Sequence, residues 1–167
     1  MRKDLLSLGF VILLIAVLFS GTKIQSVDEY YLTHIDEITD NSDTVTISIR
    51  ADTILNNMDK LKPELKKYVP KDGVILKETE YVLRNGDTVF DILHRTVRHN
   101  RIQMEFQGAD LNVYNSVYIQ GINHLYEFSC GPLSGWMYAV NDVFPNYGVS
   151  KYELKDGNFG LANVAPT

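Results

Sequence analysis

One well-marked amphipathic helix, with strand patterns on both sides of it, limits most strongly how this 167-residue chain can fold. Thr88 is suited to cap the helix, and Asp91 follows three residues later, as in a capping box. Five side chains then recur at helical spacing and give the helix one apolar face: Val89, Ile92, Leu93, Thr96 and Val97. The pattern predicts a helix from about residue 87 to residue 100.

Strand patterns precede and follow this helix. Residues 44–50 alternate polar and β-branched apolar side chains, which predicts a half-buried strand with Val45, Ile47 and Ile49 directed inward. Further short strands are predicted at residues 74–76, 78–83, 104–106, 117–119 and 151–154. Several strands with one helix are compatible with an α+β domain.

The stretch from residue 125 to residue 152 holds the only tryptophan and the only cysteine of the chain, together with several tyrosines. Residues 126–128 and 136–140 have extended patterns, and glycine, proline and serine separate them, which predicts an aromatic hairpin. Turns are predicted after it, at residues 141–142 and 145–148. One aromatic face beside polar loops suits a binding surface, although a domain core would use the same residues.

Tryptophan and tyrosine bury a large area with few rotatable bonds and keep a polar group, so loops that carry them can hold an amphipathic ligand. We predict a ligand-binding set in this stretch, about half of whose aromatic members could instead belong to the core. The set is Gly131, Ser134, Gly135, Trp136, Tyr138, Asn141, Phe144, Asn146 and Tyr147.

The N-terminal region predicts export. Arg2 and Lys3 precede an apolar run at residues 5–19, as in a secretory signal, and the sequence leaves open whether this segment is cleaved or retained as a membrane anchor. We therefore expect a signal peptide or anchor at residues 1–22 and an acidic linker at residues 23–43. The domain would lie on the extracellular face of the cytoplasmic membrane or be secreted, and the segment would bind the membrane if it is retained.

Charge and motifs argue against several functions. The net charge of -5 disfavours nucleic acid as a partner, because neutralising phosphates needs a concentrated basic surface. His94 and His99 are five residues apart, which places them on different sides of a helix, and no catalytic motif is present. Cys130 is predicted as a small buried residue, with a reactive thiol near His124 as the alternative. We predict a non-enzyme with no catalytic residue, no metal site and no required cofactor.

The sequence resembles the transcobalamin-like C-terminal domain family of exported Gram-positive proteins. The motifs that carry the resemblance lie at residues 86–93, 118–122, 134–141, 144–148 and 152–157. The resemblance covers residues 44–157 and implies an α+β domain of the soluble-ligand-binding β-grasp type, in which one main helix packs on a curled mixed sheet. It does not extend to residues 158–167. This atypical tail lacks strand alternation and leaves open whether a substitute strand completes the sheet.

The resemblance also implies a ligand. In related vitamin carriers the corresponding domain covers one side of a corrinoid, so cobalamin or another amphipathic small molecule is the expected ligand here. The loops at residues 131–136 and 141–147 match the ligand-facing positions. The alternative function is a cell-surface module that uses the aromatic hairpin patch to contact a protein or cell-wall partner.

Overall fold

The computed structural model describes residues 9–16, 25–27, 29–30, 34–157 and 159–165, with only the backbone described in the last range. The chain divides into two units, Met1–Tyr30 and Tyr31–Thr167. In the first unit, residues 9–16 are helical and expose their apolar side chains. The rest of the predicted signal or anchor lies outside the described residues. Of the helices within them, none combines the length and apolar character that crossing a membrane requires.

The second unit is built from seven strands and two α-helices in the part of the chain that the structure describes. The elements that precede the main helix are β1 (Thr44–Arg50), α1 (Asp52–Leu55), a 3-10 helix (Pro63–Tyr68) and β2 (Val74–Val82). The main helix and the elements after it are α2 (Val89–His99), β3 (Met104–Gln107), a second 3-10 helix (Ala109–Leu111), β4 (Tyr118–Ile122), β5 (Leu125–Tyr126), β6 (Gly135–Val140) and β7 (Phe159–Ala165).

The strands form two sheets. A four-stranded sheet has the order β2-β1-β7-β6, and a three-stranded sheet has the order β3-β4-β5. The first sheet is mixed, because β7 runs parallel to β1 and antiparallel to β6, whereas the second is antiparallel throughout. The fold is therefore α+β, as the sequence predicted.

The predicted helix and first strand are confirmed. Thr88 and Asp91 form a capping box, in which the Asp91 carboxylate accepts from the Thr88 backbone N–H at 2.8 Å. The apolar face of α2 is buried through Ile92, Leu93, Thr96 and Val97. Val45, Ile47 and Ile49 of β1 are buried in the same core.

A smaller core lies beside the main one. It contains Ala51, Ile54, Leu61, Leu125 and Cys130. Trp136 packs against both cores, so this half-buried side chain joins them.

The tail completes the larger sheet. The backbone of β7 pairs with β1 on one side and with β6 on the other, for example Thr46 with Phe159 and Tyr138 with Ala162. The turn before it is fixed by Asp156, whose carboxylate accepts from the Thr44 backbone N–H at 2.8 Å. Of the two outcomes that the sequence left open, the structure has the substitute strand.

The predicted aromatic hairpin is wrong. Residues 125–126 pair with β4, whereas residues 135–140 pair with β7, so the two strands belong to different sheets. The loop between them turns through positive φ values at Phe128 and Gly131, which redirect the chain away from a two-strand ribbon. The strand predicted at residues 151–154 is reduced to a bridge between Thr88 and Glu153, because the backbone there bonds to residues 87–89.

Candidate ligand cavity

An apolar cavity of about 170 Å³ lies among α2, β1, β4 and β6. Each element contributes side chains that the hydrophobic pattern already directs toward the core, and the cavity is the part of this core that the side chains do not fill. The lining residues include Val45 and Ile47 of β1, Val89, Ile92 and Leu93 of α2, Tyr118, Ile119 and Ile122 of β4, Trp136 to Ala139 of β6, and Val117, Val149 and Leu154.

Two residues of the cavity lining are partly exposed. Tyr118 and Met137 both line it, and they keep 40% and 42% of their surface exposed. An apolar cavity of roughly 150 Å³ can stay dry and hold benzene. A cavity of this size and lining therefore suits a single small apolar group.

Trp136 lies near the start of β6, and its side chain is held in place by a hydrogen bond. Its indole Nε1 donates to the Leu125 carbonyl at 2.8 Å, which ties the end of β6 to β5 across the two sheets. A half-buried indole with a satisfied N–H presents only its apolar ring to a cavity. Trp136 can therefore contact a ligand through ring packing.

Tyr138 lies two residues along the same strand. Its hydroxyl donates to the Tyr147 carbonyl at 2.6 Å, and its ring meets Tyr152 edge-on with 6.2 Å between ring centroids. Burial raises the pKa of Tyr138 to about 12. The hydroxyl therefore keeps its proton at neutral pH and holds the loop after β6 against the strand.

Tyr118 is a lining residue that the sequence did not indicate. Its hydroxyl donates to the Glu127 carboxylate. Desolvation first, and then this hydrogen bond, raises the pKa of Tyr118 to about 12. The two residues are nine positions apart and meet because β4 and the segment after β5 run side by side, so no local pattern could have paired them.

The nine residues predicted for ligand binding lie in three places. Trp136 and Tyr138 line the cavity, and Gly135 begins β6. Ser134 is buried and accepts from the Cys130 N–H at 3.0 Å while donating to the carbonyl of Gly131 at 2.9 Å, which closes the loop before β6. The remaining four are exposed in the connection after β6: Asn141, Phe144, Asn146 and Tyr147.

The candidate catalytic groups are placed apart from this cavity. The Cys130 thiol is buried in the smaller core, 3.5 Å from the Asn57 carbonyl, and burial raises its pKa. The His124 ring packs against Tyr68 at 4.3 Å between centroids. Among the described residues, no three His, Cys, Asp or Glu side chains are grouped to hold a metal ion.

A polar cluster lies on another face of α2. The Arg95 guanidinium makes two hydrogen bonds to the Asp87 carboxylate, at 2.8 Å and 2.7 Å, and a third to the Val82 carbonyl at 3.0 Å. The side chains of Arg95 and Asp87 are only 12% and 9% exposed. Arg84 next to them binds Asp36, so a residue of the predicted linker is bonded to the domain.

The fold was compared with those of solved structures. The chain is similar to haptocorrin, crystallised in complex with Cbi, with a TM-score of 0.51 and 11% identity; the match covers 78% of this chain and 26% of haptocorrin. The chain thus spans about a quarter of that protein, and the likeness is one of fold. A proposed metal-binding protein from Ruminococcus gnavus ATCC 29149 matches with a TM-score of 0.43 and 8% identity, covering 74% of this chain and 97% of the other.

A family model also matches part of the chain. Residues 86–158 match the model described as a domain of unknown function (DUF4430). This range, under half of the chain, contains α2 with its capping box, the cavity-lining parts of β4 and β6, and all five motifs of the transcobalamin-like resemblance. No curated protein sequence matches the chain.

Proposed function

We propose that this domain is a non-enzymatic receptor that binds the apolar part of a small molecule in the cavity between α2 and β6. The observation that carries the proposal is the cavity itself. It is about 170 Å³, lined almost wholly by apolar side chains, and bounded by rings that are held in place through their polar ends. Burial of an apolar group there would gain about 25 cal/mol for each Å² removed from water.

The test is a titration with toluene, followed by the fluorescence of Trp136. Trp136 is the only tryptophan of the chain and lines the cavity, so its emission responds to a ligand bound there. Toluene is expected to change the emission in a saturable way and to raise the midpoint of thermal unfolding, since a ligand of the folded state stabilises it. An unchanged spectrum and midpoint at saturating toluene would overturn the proposal.

A corrinoid is the larger ligand that we propose for this site. Its macrocycle exceeds the cavity, so it would lie over the exposed rings of Phe144 and Tyr147 while one apolar substituent enters the cavity. The haptocorrin fold supports the choice of ligand to test. Cobalamin absorbs light, so free tryptophan titrated with cobalamin serves as the control. The emission of Trp136 in the protein is expected to fall further than that of the control. An equal loss of emission in both samples would contradict corrinoid binding.

A second candidate is a surface interaction module. Phe144 and Tyr147 are 54% and 67% exposed in the connection after β6, and Phe128 and Leu133 are exposed in the loop before it. Exposed rings of this kind are typical of protein contacts. Replacing Phe144 and Tyr147 by serine would abolish binding to a protein or wall partner and leave toluene binding intact.

We also propose that the domain is exported and remains tethered if its N-terminal segment is not cleaved. The apolar run at residues 5–19 behind Arg2 and Lys3 supports this placement. Protease added to intact cells that express the full chain should digest the domain. Protection from the protease until the cells are lysed would contradict export.

A further inference from the structure

A short part of the predicted acidic linker is bound to the domain through one ion pair. The Arg84 guanidinium donates two hydrogen bonds to the Asp36 carboxylate, from Nε to Oδ2 and from Nη2 to Oδ1, both at 2.9 Å. Bidentate bonds between a guanidinium and a carboxylate are among the stronger hydrogen bonds in proteins. Arg84 follows β2, 48 positions along the chain from Asp36, so the contact is tertiary and not local.

A turn before β1 brings the linker back to the domain. The Asp43 carbonyl accepts from the Leu83 backbone N–H at 2.8 Å, at the end of β2. Just before it, the Ser42 N–H donates to the Thr39 carbonyl at 3.0 Å, and the Thr39 N–H donates to the Ser42 hydroxyl at 3.0 Å. Leu83 therefore holds one end of this loop, and the next residue, Arg84, holds the other.

The surface that receives the linker suits an acidic segment. Residues 34–36 and the domain enclose a space of about 20 Å³, and the domain side of it is lined by Tyr81, Val82, Arg84, Arg95 and His99. The hydrogen bond from Arg84 and, more weakly, the charge of Arg95 lower the pKa of Asp36. Both arginines therefore favour a carboxylate at this position.

The ion pair is partly open to solvent. The side chains of Arg84 and Asp36 are 37% and 34% exposed, and residues 34–35 and 37–41 around Asp36 are exposed as well. An ion pair with this exposure shifts an equilibrium by about fivefold at most, and salt screens it. The contact can therefore break while the core of the domain stays folded.

We propose that residues 34–36 form a reversible latch: Asp36 docks the linker on Arg84, and loss of this ion pair frees the chain as far as Asp43. Because an extended residue spans at most about 3.3–3.6 Å, release lengthens the free linker by up to about 25 Å. If the N-terminal segment is retained as an anchor, the latch would set how far the domain can reach from the membrane. The latch is independent of the apolar cavity and of its ligand.

Cleavage of the linker by a glutamate-specific protease reports on the latch. Glu37 is exposed and directly follows the docked Asp36, and Glu29 precedes the docked segment and supplies a reference cleavage in the same sample. Cleavage after Glu37 follows the population of the released form when docking is fast relative to cleavage. The full chain is kept in a non-ionic detergent at low salt, and mass spectrometry gives the ratio of the initial cleavage rates at Glu37 and Glu29.

Variants of Arg84 should change this ratio according to the bond that they keep. Arg84→Gln removes the charge and should raise the ratio about threefold to fivefold. Arg84→Lys keeps the charge without the bidentate geometry and should raise it about twofold at most. Arg50→Gln is the matched control, because the ion pair of Arg50 with Asp52 is also 37% and 34% exposed, and it should leave the ratio unchanged.

Salt provides a second measurement without a substitution. In about 1 M NaCl, where charges are screened beyond about 3 Å, the ratio for the natural chain should rise toward that of R84Q, and the ratio for R84Q should stay the same. An R84Q ratio equal to that of the natural chain would overturn the latch. An equal rise in R50Q, or an equal effect of salt on R84Q and the natural chain, would also overturn it, because neither depends on the bond between Arg84 and Asp36.

Discussion

The two faces of α2 are held in different ways. On one face, Arg95 and Asp87 are joined by a doubly bonded ion pair that is almost fully buried. On the other face, Ile92 and Leu93 border a cavity of about 170 Å³. Ion pairs and hydrogen bonds need fixed geometry, whereas apolar contacts tolerate a gap at moderate cost. The difference indicates that polar bonds position the helix and that its apolar face can therefore leave a cavity unfilled.

The largest effect is expected on the polar face. Arg95→Ala leaves the Asp87 carboxylate buried without its partner and should lower the free energy of unfolding by about 3–5 kcal/mol, measured by urea denaturation. Arg50→Ala is the control, because its ion pair with Asp52 is 37% and 34% exposed and should contribute less than about 1 kcal/mol. Similar losses in the two variants would show that the Arg95–Asp87 pair does not position α2.

The next effect tests the apolar face. Val149→Phe places a larger side chain at the cavity and should weaken toluene binding by at least about tenfold, or about 1.4 kcal/mol, because ligand and side chain compete for one volume. The protein should stay folded, with stability changed by about 1 kcal/mol, since the cavity offers space. Val143→Phe, at an exposed position outside the cavity, should leave toluene binding as it was.

A smaller effect on stability is expected at the N-terminus of α2, where Thr88 caps the helix. Thr88→Ala removes the hydroxyl that caps the helix at Asp91 and should cost about 1 kcal/mol in thermal unfolding. Thr79→Ala, in the middle of β2, should change stability by less than about 0.5 kcal/mol. Equal costs would indicate that the cap does not support the helix.

The smallest effect on stability is expected at Asp36, which binds Arg84 near the polar face of α2. The hydrogen bond from Arg84 lowers the pKa of this carboxyl below 3.8. A lowered pKa means that the pair stabilises the folded state above the pKa of an ordinary aspartate and that this gain is lost as pH falls through the lowered value. Asp36→Asn should cost less than about 1 kcal/mol at neutral pH and should make stability less dependent on pH below 4. An unchanged acid dependence would contradict the pairing.

Local features of the sequence were sufficient for part of the fold. The capping box joins Thr88 and Asp91, three residues apart, and the alternation of β1 repeats every two residues, so both could be predicted from neighbours alone. The same patterns were compatible with the α+β class, which the family resemblance implied.

Features that depend on distant residues could not be predicted in this way. Tyr126 and Trp136 were assigned to one hairpin because a turn lies between them, but Trp136 pairs with the distant strand β7, and Tyr126 pairs with Gly121 of the preceding strand β4. Similarly, Tyr118 meets Glu127 only after β4 and β5 have paired. Trp136 and Tyr138 were predicted as binding residues because they are aromatic. Their position at a cavity depends on α2 and β1 as well.

The position of β7 has a consequence for the kinetics of folding. It follows all other elements in the chain and lies between two of them, pairing Phe159 with Thr46. Contacts between residues so far apart in sequence slow folding, because a long loop must close before they form. Because β7 lies between β1 and β6 in the sheet, these two strands cannot be joined before β7 is synthesised. The larger sheet would therefore assemble only after synthesis has reached residue 165.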